Sequence, residues 1–202
     1  MTTVQKKAVL QAAAAYVRRK CLKESSGHDW SHIERVHRHA LRLAREEKAD
    51  LFVVGLAALL HDIADHKFHG GDTEIGPRTA AAWMKRRRVP PETVAHVAEI
   101  IGTMSFKGGK DRPPMRTPEG KVVQDADRLD ALGAIGIGRA FAYGGYAGRA
   151  MYGTEGATLD HFHEKLLLLK DRMNTRAGKK AAQKRHAFLL LYLKAFEAEL
   201  AG

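Results

Sequence analysis

Cysteine is nearly absent from this chain of 202 residues, where Cys21 stands alone. One thiol cannot form an intramolecular disulfide, and a zinc site built from several cysteines is excluded with it. Any metal must therefore be held mainly by imidazoles and carboxylates. Long apolar runs are lacking too. None reaches the roughly 18 residues a membrane span needs, and the first residues show no charged segment followed by an apolar stretch and a small-residue cleavage site. The expectation is a cytoplasmic protein with no membrane partner. Period-two alternation, internal repeats and an interdomain linker are also missing, which argues against strands and for one domain over 1–202 with an all-α fold.

Acidic residues are outnumbered, 23 against 34 lysines and arginines, for a formal charge of +11. That balance favours anionic partners: nucleotides, nucleic acid or acidic metabolites. The cations cluster at Arg18 to Lys20, Lys85 to Arg88 and Lys179 to Arg185. No aromatic residue interleaves with these runs, so solvated helix faces are favoured over a nucleic-acid surface.

What is present is helical periodicity. Val9, Leu10, Ala13, Tyr16 and Val17 mark a first helix over Thr3 to Lys23. A second, capped by Asp29 or Ser31, carries the stripe Ile33, Val36, Ala40, Leu43, Ala44, with His32 at its edge near the helix start. Asp50 caps a third, whose run from Leu51 to Leu60 is apolar all round and therefore central. Further helices are predicted from about Thr73 to Arg88, Pro91 to Met104, and from near Glu119 through Leu129, with two more after Leu159, through Leu166 to Met173 and through Ala187 to Leu200. Between Gly133 and Gly156, glycine and aromatic residues predict short or interrupted helices, forming a base-stacking lid or an ordinarily packed irregular segment.

The chain is organised around Leu60 to Asp65, where the buried apolar helix ends in His61, Asp62 and Asp65. On a helix these three side chains converge on one end. Other polar residues at the edge of apolar stripes are His32 and, in the segment Val-Gln-Asp-Ala-Asp-Arg-Leu-Asp, Asp127, although spacing alone permits Asp125 equally. Two imidazoles and two carboxylates suit one octahedral Mn, Mg, Co, Ni or Fe ion, with positions left for water and a phosphate oxygen.

Three stretches, Gly27 to Val36, Leu60 to Phe68 and Asp125 to Ala131, together resemble the H, HD, D signature of the HD superfamily of metal-dependent phosphohydrolases. The resemblance implies that His32, His61, Asp62 and Asp127 bind the metal, the last in the Ala-Asp-Arg-Leu context. The segment from Asp125 to Gly136 is most similar to small bacterial HD enzymes that hydrolyse nucleoside triphosphates and release pyrophosphate; related branches are 5'-nucleoside monophosphatases. It implies that Asp65 serves the attacking water and that cations bind the polyphosphate, Lys67 first, with Arg35 and Arg128 as weaker candidates. Asp130 reads as a supporting or surface residue. His28, His37, His39, His66, His69 and His96 raise the case of a second metal, but too few bridging ligands accompany them. A non-catalytic nucleic-acid-binding or regulatory HD module is the alternative of another class.

Overall fold

The computed structural model describes residues 1–21, 29–64, 72–104 and 114–202, and among these all regular structure is helical. The described residues fall into two compact units, one up to Gln124 and one from Asp125 to Gly202. Helix α6 (Pro118–Asp130) carries the chain from the first into the second.

The first unit is built on α3 (Leu51–Leu60), in which every residue from Phe52 to Leu60 is buried. A helix apolar on all sides needs neighbours on all sides, and α1 (Thr3–Lys20), α2 (Trp30–Glu47) and α5 (Pro91–Met104) supply them, while α4 (Ile75–Lys85) packs on α5. Each fully buried Leu or Val contributes about 1.5–3 kcal/mol, so this helix is the energetic centre of the unit. Asp50 starts it as expected, its Oδ1 accepting from the backbone N–H groups of Phe52 and Val53 at 2.7 and 3.2 Å. The Asp50 N–H in turn donates to Glu119 Oε1 at 2.9 Å, which fastens the first turn of α6 to the start of α3.

Helix α4 is shorter than its periodicity predicts. The chain leaves it at Arg86, and Arg88 takes a left-handed φ of 56°. Pro90 follows within two residues, and a residue before proline is kept out of the helical region.

The second unit contains the end of α6, α7 (Gly133–Tyr146), α8 (Thr158–His161) and α9 (Arg176–Ala201); after α8 a π turn (Phe162–Leu166) and a 3-10 stretch (Leu167–Arg172) lead toward α9. The glycine-rich segment is divided: α7 runs unbroken through Gly136, Gly138, Gly144 and Gly145, and the irregular stretch expected there is confined to 147–157, which contains no helix. Gly144 is a point of close approach: a Cβ there would lie 2.0 Å from Thr158 Oγ1. Of the segment's aromatic residues, the half-buried Phe141 packs on the buried Phe162 at 5.6 Å and on Phe196 at 6.0 Å between ring centroids, while Tyr146 and Tyr152 are exposed. Helix α9 also starts earlier than predicted, at Arg176, because the Thr175 hydroxyl caps it by accepting from the Gly178 N–H at 2.9 Å. Among the described residues, no helix is long and apolar enough to cross a membrane.

Candidate metal centre

His32 belongs to the first turn of α2. Of the two caps the sequence allows, Asp29 is the one used, its Oδ1 accepting the His32 backbone N–H at 2.9 Å. That bond satisfies an orphan donor of the helix start and fixes the backbone from which the imidazole projects. The side chain is 1% exposed.

His61 and Asp62 occupy the turn that ends α3 rather than the helix itself, with His61 as the C-cap residue. The His61 Nδ1 lies 2.9 Å from the Ala58 carbonyl oxygen, so Nδ1 carries the proton and donates. The same bond assigns the lone pair to Nε2 and sets the ring plane, the arrangement that orients a metal-binding histidine.

Both rings converge on one carboxylate oxygen. Asp62 Oδ2 is 3.4 Å from His32 Nε2 and 3.3 Å from His61 Nε2, and the ring centroids are 5.4 Å apart in an edge-on arrangement at 70°. Both imidazoles are nearly inaccessible, while the Asp62 side chain keeps 20% of its exposure, so the group opens on the carboxylate side.

This geometry fits a divalent cation. Adjacent ligands of an octahedral ion at roughly 2.1 Å stand about 3 Å apart, close to the separations found between Asp62 Oδ2 and the two nitrogens. Two neutral imidazoles and one carboxylate are also the borderline-to-hard donors such an ion takes.

A model of the HD domain matches residues 29–132, more than half of the chain, and takes in His32, His61, Asp62 and Asp127. This chain belongs to the HD family. Its members are metal-dependent phosphohydrolases, and the chain is an enzyme of that kind. YpgQ of Bacillus subtilis strain 168 is 44% identical over 181 residues, covering 89% of this HD protein and 87% of YpgQ. The crystal structure of YpgQ in complex with ADP superposes with a TM-score of 0.80 at 42% identity, over 94% of this chain and 98% of that one. An HD-superfamily hydrolase from Bacillus thuringiensis gives 0.79 at 42% identity, over 98% and 99% of the two chains.

The other residues of the HD signature are placed as follows. Asp127 is half-buried on α6, one helical turn after the buried Val123. Arg35 is half-buried on α2, one turn after His32. Arg128 donates to the Arg172 carbonyl oxygen; burial lowers its pKa, against the opposing pull of Asp125 and Asp127. Asp65 and Lys67 lie outside the described residues, as do His28, His66 and His69. His96 Nε2 is 2.9 Å from the Thr117 hydroxyl and 3.9 Å from Glu119 Oε2.

Two aspartates of the same segment have structural partners that spacing did not reveal. Asp125 is fully buried, and its carboxylate accepts from the backbone and side chain of both Asn174 and Thr175. Asp130 is also fully buried, with Arg139 at 3.0 Å, so it is not a surface residue. Asp29 and the Ala58 carbonyl, which orient the two histidines, were signalled only by their spacing three residues before each.

Proposed function

We propose that this protein hydrolyses (deoxy)nucleoside triphosphates with release of pyrophosphate, using one divalent ion held by His32, His61, Asp62 and Asp127, and that its 202 residues work as a single HD phosphohydrolase domain. The observation that carries the metal assignment is the convergence of His32 Nε2 and His61 Nε2 on Asp62 Oδ2, with His61 Nδ1 committed to Ala58. The nucleotide reading is supported by the ADP complex of YpgQ, whose chain is 42% identical. The triphosphate reading rests on the segment from Asp125 to Gly136.

When bound, a divalent ion supplies a water of lowered pKa and neutralises charge on a phosphate oxygen. The protein's part is orientation and proton handling. His61 presents its Nε2 lone pair with Nδ1 already committed to Ala58, and both rings stand in a site almost closed to water. Asp62 and Asp127 bring the negative charge that offsets the cation. Asp65 accepts the proton of the attacking water in this proposal, and Lys67 and Arg35 neutralise the polyphosphate. Arg128 has donors to spare beyond the one given to Arg172 and serves beside them.

The test is a screen of nucleoside mono-, di- and triphosphates with Mn, Mg, Co and Ni, reading pyrophosphate and orthophosphate separately. Pyrophosphate from triphosphates is the expected product, lost in Asp62→Ala and Asp127→Ala. Orthophosphate from monophosphates alone would replace the triphosphate reading with a 5'-nucleotidase one. Full activity in either aspartate variant would remove the metal assignment itself.

A further inference from the structure

Asp125 and Asp127 stand two residues apart on α6, which turns them about 200° around the helix axis, so that they point in nearly opposite directions. Spacing permits either as a metal ligand. Asp125 is committed elsewhere: it is fully buried, its Oδ1 accepts from the N–H and side-chain amide of Asn174, and its Oδ2 accepts from the N–H and hydroxyl of Thr175, at 2.7 to 2.8 Å. A carboxylate has about four lone-pair sites, and four donors fill them. No oxygen is left for a cation.

The residues that follow on α6 are tied down as well. Arg128 donates to the Arg172 carbonyl oxygen, Arg185 donates to the Leu129 carbonyl oxygen, and Arg139 pairs with the Asp130 carboxylate at 3.0 Å. All these partners belong to the second unit, in α7, in α9 and in the stretch leading to α9. Apolar packing alone lets a helix roll by small angles, whereas directed hydrogen bonds converging on one buried carboxylate fix the roll. A side-chain carboxylate stands roughly 5 Å from the helix axis, so a roll of about 10° moves it by about 1 Å. Metal–ligand distances tolerate only about 0.2 Å.

On the reading in which Asp127 holds the ion, we propose that Asp125 is a positioning residue for the metal centre: through Asn174 and Thr175 it sets the roll of α6 and with it the place of the Asp127 carboxylate. Stability alone would not call for a charge at this fully buried position, since well-packed apolar groups in place of a buried charge network are often neutral or stabilising. What a fully satisfied network adds is a single orientation. Asp125 therefore acts on the ion through Asp127 and touches neither the ion nor the substrate.

The experiment is a titration of the full chain with Mn, reading the free ion by electron paramagnetic resonance, so that affinity is measured without turnover. Asn174→Ala is the central variant, because it keeps the charge of Asp125 and the backbone donors and removes one side-chain donor. It should weaken Mn binding at least about threefold, and Asp125→Asn about tenfold or more, as when other groups that orient metal ligands are changed. Thr175→Val should weaken binding too, while Thr175→Ser, which keeps the hydroxyl, should bind like wild type. Gly144→Ala, whose clash lies between α7 and α8, should lower stability and leave the affinity unchanged. Should Asp125→Asn fail to fold, the Asn174 and Thr175 variants decide. Wild-type affinity in Asp127→Ala would remove the ligand reading itself. Weakened binding in Asp127→Ala with wild-type affinity in Asn174→Ala and Thr175→Val would keep Asp127 as a ligand and overturn the positioning role. So would a loss in Gly144→Ala as large as theirs, since loosening of the unit would then explain it.

Discussion

Asp125 and Thr175 are joined by two short hydrogen bonds, the Thr175 N–H and hydroxyl both donating to Asp125 Oδ2, at 2.8 and 2.7 Å. Oδ1 accepts in the same way from the N–H and side-chain amide of Asn174, each at 2.8 Å. One buried carboxylate therefore fastens the second half of α6 to the turn that starts α9. Removing it strands several donors in a site closed to water, each costing about 1–3 kcal/mol. Asp125→Ala is expected to lower stability by about 3 kcal/mol or more, read as a fall in the urea midpoint at unchanged slope. Asp125→Asn should do nearly as badly, because its NH2 would face donors.

The same carboxylate explains a glycine one turn into α9. A Cβ at Gly178 would stand 2.3 Å from Asp125 Oδ2 and 2.9 Å from Thr175 Oγ1. Gly178→Ala would normally gain helix propensity of about 1 kcal/mol. Here it should destabilise instead, and hydrogen exchange at the first turn of α9 should speed up relative to wild type.

Gly144 gives a second case with a cleaner control. An added Cβ meets the Thr158 hydroxyl at 2.0 Å but its Cβ only at 3.2 Å, so the clash lies mainly with the oxygen. Gly144→Ala should cost about 1–3 kcal/mol as overpacking, and the double variant with Thr158→Ala should recover most of it. A double-mutant cycle in urea that shows simple additivity would mean the two positions do not meet as described.

These contacts mark the boundary of what the sequence could say. Helix α3 was legible because ten consecutive apolar residues after an aspartate cap admit few readings, and α5 because Pro91 opens it. The continuity of α7 was not, since a glycine that breaks a helix and one that lets two helices touch look identical until the neighbour, Thr158, is known. His32, His61 and Asp62 were legible as donors at the edges of apolar stripes, and they do converge. Asp125 and Asp127 could not be separated by spacing, because the partners of Asp125 lie about 50 positions further on. The cation clusters were read along the chain, whereas Tyr16 and Lys20, like Trp83 and Arg87, meet one helical turn apart.

His37 connects the first unit to pH. Its Nε2 is buried without a hydrogen-bond partner, and burial lowers its pKa, a pull that Glu34 opposes in part. A depressed histidine pKa means the unfolded chain takes up the proton first as pH falls. Its stabilising contribution is therefore intact above about pH 6.5 and is lost as pH drops from there toward the folded-state value. Urea unfolding of wild type should weaken between about pH 7 and pH 5, and His37→Gln should show a smaller slope over that window. Part of the slope should persist, because burial lowers His161 and His186 as well.

Metal removal tests the centre without relying on turnover. A ligand that binds only the folded state stabilises it by an amount set by its concentration over its dissociation constant, about 2.7 kcal/mol at a hundredfold excess. Thermal unfolding should therefore rise by several degrees when Mn or Mg is added to chelated protein and return when chelator is restored. In Asp62→Ala the shift should vanish, because the oxygen on which both Nε2 atoms converge is gone. In a variant at Glu119, whose bond to the Asp50 N–H lies at the opposite end of α3, the baseline stability should fall but the metal-induced shift should remain. An equal shift in wild type and Asp62→Ala would place the ion elsewhere on the chain.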